Sequence, residues 1–300
     1  MKKKSTKTTS TETTPVDTLN PLDINDNLER LKPFIGTTDT KVGEMVVYKN
    51  DEIVSLALAT FGEYCDAEVQ IMTRYLNNES VYLDIGTNIG YHALAINKYV
   101  GCAVQCFEPH PDHFTIAAYN CRDKPIRIYN TALGNSNGKI TMKRFDPEVQ
   151  GNYGEIKVDE NNEGIEVTMI KLDQLEELAR VDVMKIDVEG FEFQVLQGSL
   201  ETILKHKPVI FYEAIEKEAW DPCFKFLRDL GYSQYWVTCR TKPLAPTYKQ
   251  TEDNPFDVFG VSNILAIPNE IQQPLDLAPV VEGESFMDLL TRYQRYKLMF

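Results

Sequence analysis

The chain has 300 residues, 43% hydrophobic and 25% charged, with a formal net charge of −14, which describes an ordinary soluble globular protein. That acidic balance argues against extended nucleic-acid binding, since no Lys/Arg cluster follows Lys2-Lys3-Lys4, although a local basic groove stays open. Six scattered cysteines without C-x-x-C spacing point away from zinc and from a disulfide framework, and a reducing cytoplasm fits them.

Residues 1–20 are a Thr/Ser/Lys tract with almost no apolar side chains; it is expected to be disordered, and without an apolar h-region it is not a secretory signal. No apolar run approaches a membrane span. Residues 21–78 read as an N-terminal cap. Val42 to Tyr48 suits a strand, a turn at Lys49-Asn50-Asp51 leads to Ile53 to Ala59, and Ala67 to Leu76 carries apolar residues at helical spacing. From 79 to 270 the pattern alternates. Strands are expected near 81–85, 103–107, 126–130, 182–187 and 208–213, and helices near 89–99, 111–122, 172–179, 192–205 and 216–230. Asn137-Gly138 reads as a hairpin turn, with extra strands at Ile140 to Phe145 and Ile165 to Met169, and 150–163 as a loop. Tyr232 to Thr238 and Val261 to Ile267 complete a mostly parallel seven-stranded α/β sheet with helices on both faces. Residues 271–300 form a tail whose end, Ser285 to Phe300, reads as an amphipathic helix that packs on its own cap or makes a homodimer.

The stretch Val81 to Gly90, VYLDIGTNIG, is a buried strand, a glycine turn and the start of a helix, the opening unit of a doubly wound domain that binds a nucleotide-like cofactor. Its spacing, Gly86-x-x-x-Gly90, is not the G-x-G-x-x-G of dinucleotide binding. Asp84 before the first glycine suits a cationic ligand such as S-adenosylmethionine better than two phosphates. Glu108, at the end of the next strand, is placed to accept both ribose hydroxyls of either cofactor class. Asn130-Thr131-Ala132, after the third strand, can meet an adenine edge, and Asn130 can equally cap a turn.

DIGTNIG, then FEPHP at Phe107 to Pro111, NTALG at Asn130 to Gly134 and KIDVEGFE at Lys185 to Glu192 resemble the FkbM family of methyltransferases, as do Phe61-Gly62-Glu63-Tyr64, Tyr212-Glu213 and Asn263 to Pro268. The resemblance covers about Phe61 to Pro268. It implies a Rossmann-like class I methyltransferase fold and an S-adenosylmethionine-dependent O-methyltransferase acting on hydroxyls of sugars or other natural products. It is also the only ground for placing Glu63 at the cofactor.

Methyl transfer to oxygen is an in-line displacement that needs the acceptor's proton removed. Asp187 and Glu189, at the end of the strand that continues into IDVEGFE, are the candidate catalytic pair; the competing reading makes Asp187 a helix cap with Glu189 and Glu192 as first-turn acids. Asp84, Gly86, Thr87, Asn88, Gly90, Glu108, Thr131 and Ala132 are the candidate cofactor residues, with Glu63 beside them. His110 and Glu213 are the candidate acceptor residues. Asp187, Glu189 and Glu213 together could take Mg²⁺, but substrate or capping roles are commoner for three such acids, and no metal is expected. Lys185 with Asp187 and Glu189 resembles the set of RNA ribose methyltransferases, against which the acidic balance weighs. The competing functions are thus an RNA ribose 2'-O-methyltransferase, an NAD-dependent oxidoreductase and a non-catalytic assembly module. The expected partner is a small-molecule or glycan acceptor, with neither membrane nor extended nucleic acid.

Overall fold

A computed structural model of the chain describes residues 21–159, 163–175, 178–240, 247–253, 255–256, 260–274, 276–285 and 288–289. The expected disordered tail at 1–20 lies outside them. The N-terminal segment holds α1 (Pro21–Leu31), β1 (Ile35–Thr40), β2 (Gly43–Tyr48), α2 (Val54–Phe61) and α3 (Asp66–Thr73). The main alternation follows as β3 (Val81–Ile85), α4 (Tyr91–Val100), β4 (Ala103–Phe107), α5 (Pro111–Cys121) and β5 (Ile126–Tyr129). Next come β6 (Ala132–Leu133), β7 (Gly138–Met142), β8 (Ile165–Ile170), β9 (Val183–Ile186), α6 (Glu192–Gln197), α7 (Leu200–His206) and β10 (Val209–Glu213). Then come α8 (Lys217–Asp229), β11 (Tyr232–Arg240), β12 (Gly260–Pro268) and the edge strand β13 (Ala278–Pro279).

The central sheet runs β13-β11-β12-β10-β9-β3-β4-β5. Strands β10, β9, β3, β4 and β5 are parallel, while β12, β11 and β13 join antiparallel. The seven expected strands are therefore present, extended by a two-residue edge. Successive residues feed two cores. Tyr82, Val104 and Phe211 bury on one face with α3 and α4, and Leu83, Met184 and Ile210 on the other with α8. The strands read as near-continuous apolar runs because both faces are covered. Leu31, Met45, Leu58 and Met72 of the N-terminal segment share the first of these cores. The order reverses between β3 and β9, so a crevice opens beyond their C-terminal ends, where ligands of such sheets bind.

Several local expectations differ from the structure. Ile35–Thr40, unmarked by apolar alternation, is a strand paired with β2, and Ile53 to Ala59 is mostly helix α2. The Asn137-Gly138 turn does not join a paired hairpin: β7 pairs with β8, which separates it from β6. The helix expected near 172–179 is a short 3-10 turn at Leu172–Gln174, with Leu175 extended. Asp173 there caps the following α7 instead, accepting from Glu201 N–H at 3.0 Å and Thr202 N–H at 2.8 Å. The helix expected at 192–205 breaks at Gly198, where a Cβ would come within 1.8 Å of the Gly134 carbonyl oxygen. Most of the expected terminal helix lies outside the described residues; Leu289 is buried in the second core. No helix among the described residues is long and apolar enough to cross a membrane.

Candidate active site

The glycine loop sits where β3 meets β9. Gly86 has a φ of 85°, and a Cβ there would lie 1.7 Å from the Asp187 carbonyl oxygen, so only glycine lets the two strand ends approach this closely. Gly86 and Thr87 N–H donate to the Phe107 carbonyl at 2.9 and 3.3 Å, which ties the loop to the end of β4. Asn88 N–H then donates to Glu108 Oε2 at 2.9 Å.

Asp84 is placed beneath this loop, only 1% exposed, accepting from Thr87 Oγ1 at 2.7 Å and Tyr82 OH at 3.2 Å. It braces the turn and does not line the pocket, which corrects its expected direct contact with a cationic ligand. Gly90 faces Cys121 and Ala117 of α5, again behind the loop. Glu63 also lies off the pocket, 3.4 Å from Lys41 Nζ.

The crevice opens into a pocket of about 1380 Å³, open mouth included. Of the expected cofactor residues, Gly86, Thr87, Asn88, Glu108, Thr131 and Ala132 line it; so do His110, Asp187, Glu189 and Glu213. Glu108 accepts from Asn88 N–H and His110 N–H, both at 2.9 Å, which leaves each oxygen a further lone pair for a ligand hydroxyl. Burial pushes its carboxyl up to about 8, against the pull of those two N–H groups. Asn130 does not line the pocket: its amide donates to the Glu108 and Pro109 carbonyls at 2.9 and 3.0 Å, holding the loop after β4.

At the end of β9, Lys185 Nζ lies 2.6 Å from Asp187 Oδ2 and the lysine is 3% exposed. Burial works to lower the ammonium's pKa, but Asp187, Asp84 and Glu68 together hold it above its ordinary value. The hydrogen bonds that close the turn into α6 go to Glu192 Oε1, from Val188 and Gly190 N–H at 3.2 and 3.1 Å. Glu192 thus ties the turn before α6, and no side chain caps the helix itself, while Asp187 pairs with the lysine and Glu189 lines the pocket. Burial, then Asp187, raises the Glu189 carboxyl well above its ordinary range, and burial with Asp187 and Glu189 raises Glu213 further. Asp187, Glu189 and Glu213 each offer an oxygen within 4.8 Å of the others, an arrangement that could hold a hard cation.

Several pocket residues escape sequence reasoning. Glu68 of α3 is buried and accepts from Asn263 Nδ2 of β12 at 2.8 Å, with His92 Nε2 3.4 Å from its other oxygen; all three line the pocket. The signal was present, because Glu68 falls on the same helical face as Val69 and Met72, an acid on an apolar stripe. The segment read only as a loop supplies Asn152, Gly154 and Glu155 to the pocket wall. It is anchored at Asp51, whose Oδ1 accepts from Tyr153 N–H at 3.3 Å, and by Tyr153 packing against Tyr48 and Phe145.

The profile of the family described as Methyltransferase FkbM domain matches residues 84–233. The chain is similar to the hexuronic acid methyltransferase AglP of Haloferax volcanii, at 32% identity over 136 residues, covering 43% of this chain and 54% of that protein. It therefore spans about half the length of that curated relative. Among solved structures it is similar to a methyltransferase FkbM from Methylobacillus flagellatus KT, with a TM-score of 0.44, 13% identity and coverage of 63% of this chain and 44% of that one. It is also similar to the Pyrococcus abyssi tRNA (uracil-54, C5)-methyltransferase in complex with S-adenosyl-L-homocysteine, with a TM-score of 0.42, 12% identity and coverage of 77% and 44%.

Proposed function

Because the chain belongs to the methyltransferase FkbM domain family, we propose that it is an S-adenosylmethionine-dependent O-methyltransferase whose acceptor is a hydroxyl of a saccharide or similar polyhydroxyl compound. The observation that carries this reading is the row of carboxylates at one sheet edge: Glu108 beside the glycine loop, and Asp187, Glu189 and Glu213 across the switch point. The residues fit the donor. Glu108 offers two free lone pairs where ribose hydroxyls would donate, and the loop from Gly86 to Asn88 brings backbone close without a side chain in the way.

The donor supplies a methyl group already activated by its sulfonium. The chain's own residues then have to hold the acceptor in line and take its proton. Glu189, raised by burial and by neighbouring acids, is a carboxylate that takes up a proton near neutral pH, as a general base must. Asp187 keeps Lys185 in place beside Glu189. Glu213 is placed to receive a second hydroxyl of a polyol acceptor.

The name of the Haloferax relative supports a sugar acceptor. The pocket's lining weighs against RNA: Lys185 is its one Lys or Arg among the described residues, and that lysine is committed to Asp187, which leaves no cation for a phosphate. Calorimetric titration with S-adenosylhomocysteine and with NAD tests the cofactor. Binding of the first alone supports the reading, and binding of NAD alone replaces it with an oxidoreductase.

A further inference from the structure

We propose that His110 is a neutral hydrogen-bond donor to the purine of the bound methyl donor, with its proton fixed on Nε2 by the start of α5. The inference rests on the S-adenosylmethionine reading above. His110 is the residue that caps α5: its Nδ1 accepts from Asp112 N–H at 3.3 Å. A neutral imidazole carries one N–H and one acceptor nitrogen, so accepting at Nδ1 places the proton on Nε2. The side chain is 1% exposed and lines the pocket, and its buried Nε2 has no hydrogen-bond partner in the protein. Leaving a buried donor unmade loses more than an ordinary hydrogen bond gains, so the site is complete only when something in the pocket accepts from it.

The ring stays uncharged through the physiological range. Burial lowers its pKa to about 4, with Asp112 raising it and Arg30 and Arg144 lowering it. The other titratable groups against it are Glu108, whose Oε1 accepts from the His110 N–H, and His113, with ring centroids 4.9 Å apart and itself held neutral by burial. His110 therefore offers a donor and no positive charge, which suits a neutral heterocycle better than a carboxylate.

Two features select the purine. The donor stands on the same short loop as Glu108, two residues past the acid placed for the ribose, so its reach is to the base attached to that ribose. The neighbouring wall is apolar, built by Ala132, Leu133, Ile140, Met142 and Ile156, a surface for a flat ring. Purine ring nitrogens without hydrogens accept and never donate, matching a fixed N–H.

Two near-isosteric variants separate the cap from the donor. His110→Asn keeps an acceptor where Nδ1 stood and loses the Nε2 donor; His110→Gln reaches the Nε2 position with an amide N–H and loses the cap. S-adenosylhomocysteine and adenosine are titrated into each by calorimetry, alongside thermal melts. The asparagine variant should melt like the wild type but bind both ligands roughly 3- to 10-fold more weakly. The glutamine variant should melt lower yet bind within about twofold of the wild type. Unchanged binding of both ligands by the asparagine variant overturns the inference, as does equal weakening in both variants. Loss confined to S-adenosylhomocysteine moves the contact to the methionine half and overturns the purine assignment. A wild type that binds neither ligand overturns the cofactor reading itself. If the asparagine variant does not fold, ¹⁵N NMR of the wild type decides. A His110 Nε2–H tautomer that shifts on adding adenosine supports the inference, and an Nδ1–H tautomer refutes it.

Discussion

Glu108→Gln should make the empty protein more stable in mild alkali while weakening its cofactor affinity. The Glu108 carboxyl is pushed from 4.5 to about 8 by burial. A raised pKa means the folded state holds the proton that the unfolded state releases. The associated stability is full below about pH 4.5 and is lost as pH rises to about 8. At 1.36 kcal/mol per pKa unit, the loss between about pH 5 and pH 8.5 amounts to roughly 4 kcal/mol. The glutamine variant does not titrate. Its amide oxygen serves only one of the two N–H groups that Glu108 accepts from, Asn88 or His110, at a cost of about 1–3 kcal/mol at every pH. The variant should therefore be the less stable protein at about pH 5 and the more stable by about 1–3 kcal/mol at pH 8.5. Urea denaturation of both proteins across that range is the assay. In parallel, calorimetry at about pH 9, where the carboxyl is ionised, should show S-adenosylhomocysteine binding weakened by about 1.5–3 kcal/mol, the range for hydrogen bonds to a charged group. Stability curves that run parallel across pH would refute the buried charge, and unchanged affinity would remove Glu108 from the ribose site.

Three further outcomes are expected. Glu189→Gln should lower turnover by about 10²–10⁴-fold with S-adenosylhomocysteine binding retained, whereas Asp187→Asn should also destabilise the fold by about 1–3 kcal/mol, because it weakens the charge-assisted bond of the buried Lys185 and leaves that ammonium only Asp84 and Glu68 nearby; steady-state kinetics with denaturation curves separates the two. Activity should survive EDTA within about twofold, because Lys185 already neutralises Asp187 in the acid cluster; a loss that Mg²⁺ restores would make the cluster a metal site. Deleting residues 285–300 should lower stability through loss of the buried Leu289, and light scattering on both chains tests the homodimer: a dimer that becomes a folded monomer on deletion places the interface in the tail, and a full-length monomer excludes it.

The parts of the fold visible in the sequence are those where burial on two faces left an apolar run, as in Val81 to Ile85 and Val183 to Ile186, each interrupted by one charged residue, Asp84 and Lys185, and closed by a glycine or an acid. The strand ends carried the site for the same reason, and Gly86, Glu108 and Asp187 lie where the order of residues placed them. Elements held by tertiary contacts were not visible. β1 is polar along most of its length and is fixed by pairing with β2, and the expected helix at 172–179 gave way because Asp173 is used to cap α7. Asp84 was misplaced because a strand-end acid can face the pocket or the loop beneath it, and only the bonds from Tyr82 and Thr87 decide. Glu68 and Asn263 lie 195 residues apart and meet only through the packing of α3 on the sheet.

The central claim is methyl transfer to a saccharide hydroxyl, and mass spectrometry of a glycan library incubated with the chain and S-adenosylmethionine tests it most directly. The account predicts that a member of the library gains the mass of one CH₂ group as an ether, in step with release of S-adenosylhomocysteine, and that Glu189→Gln suppresses the product. Methyl transfer to RNA and to no glycan, or no transfer by a chain that binds NAD, would contradict it.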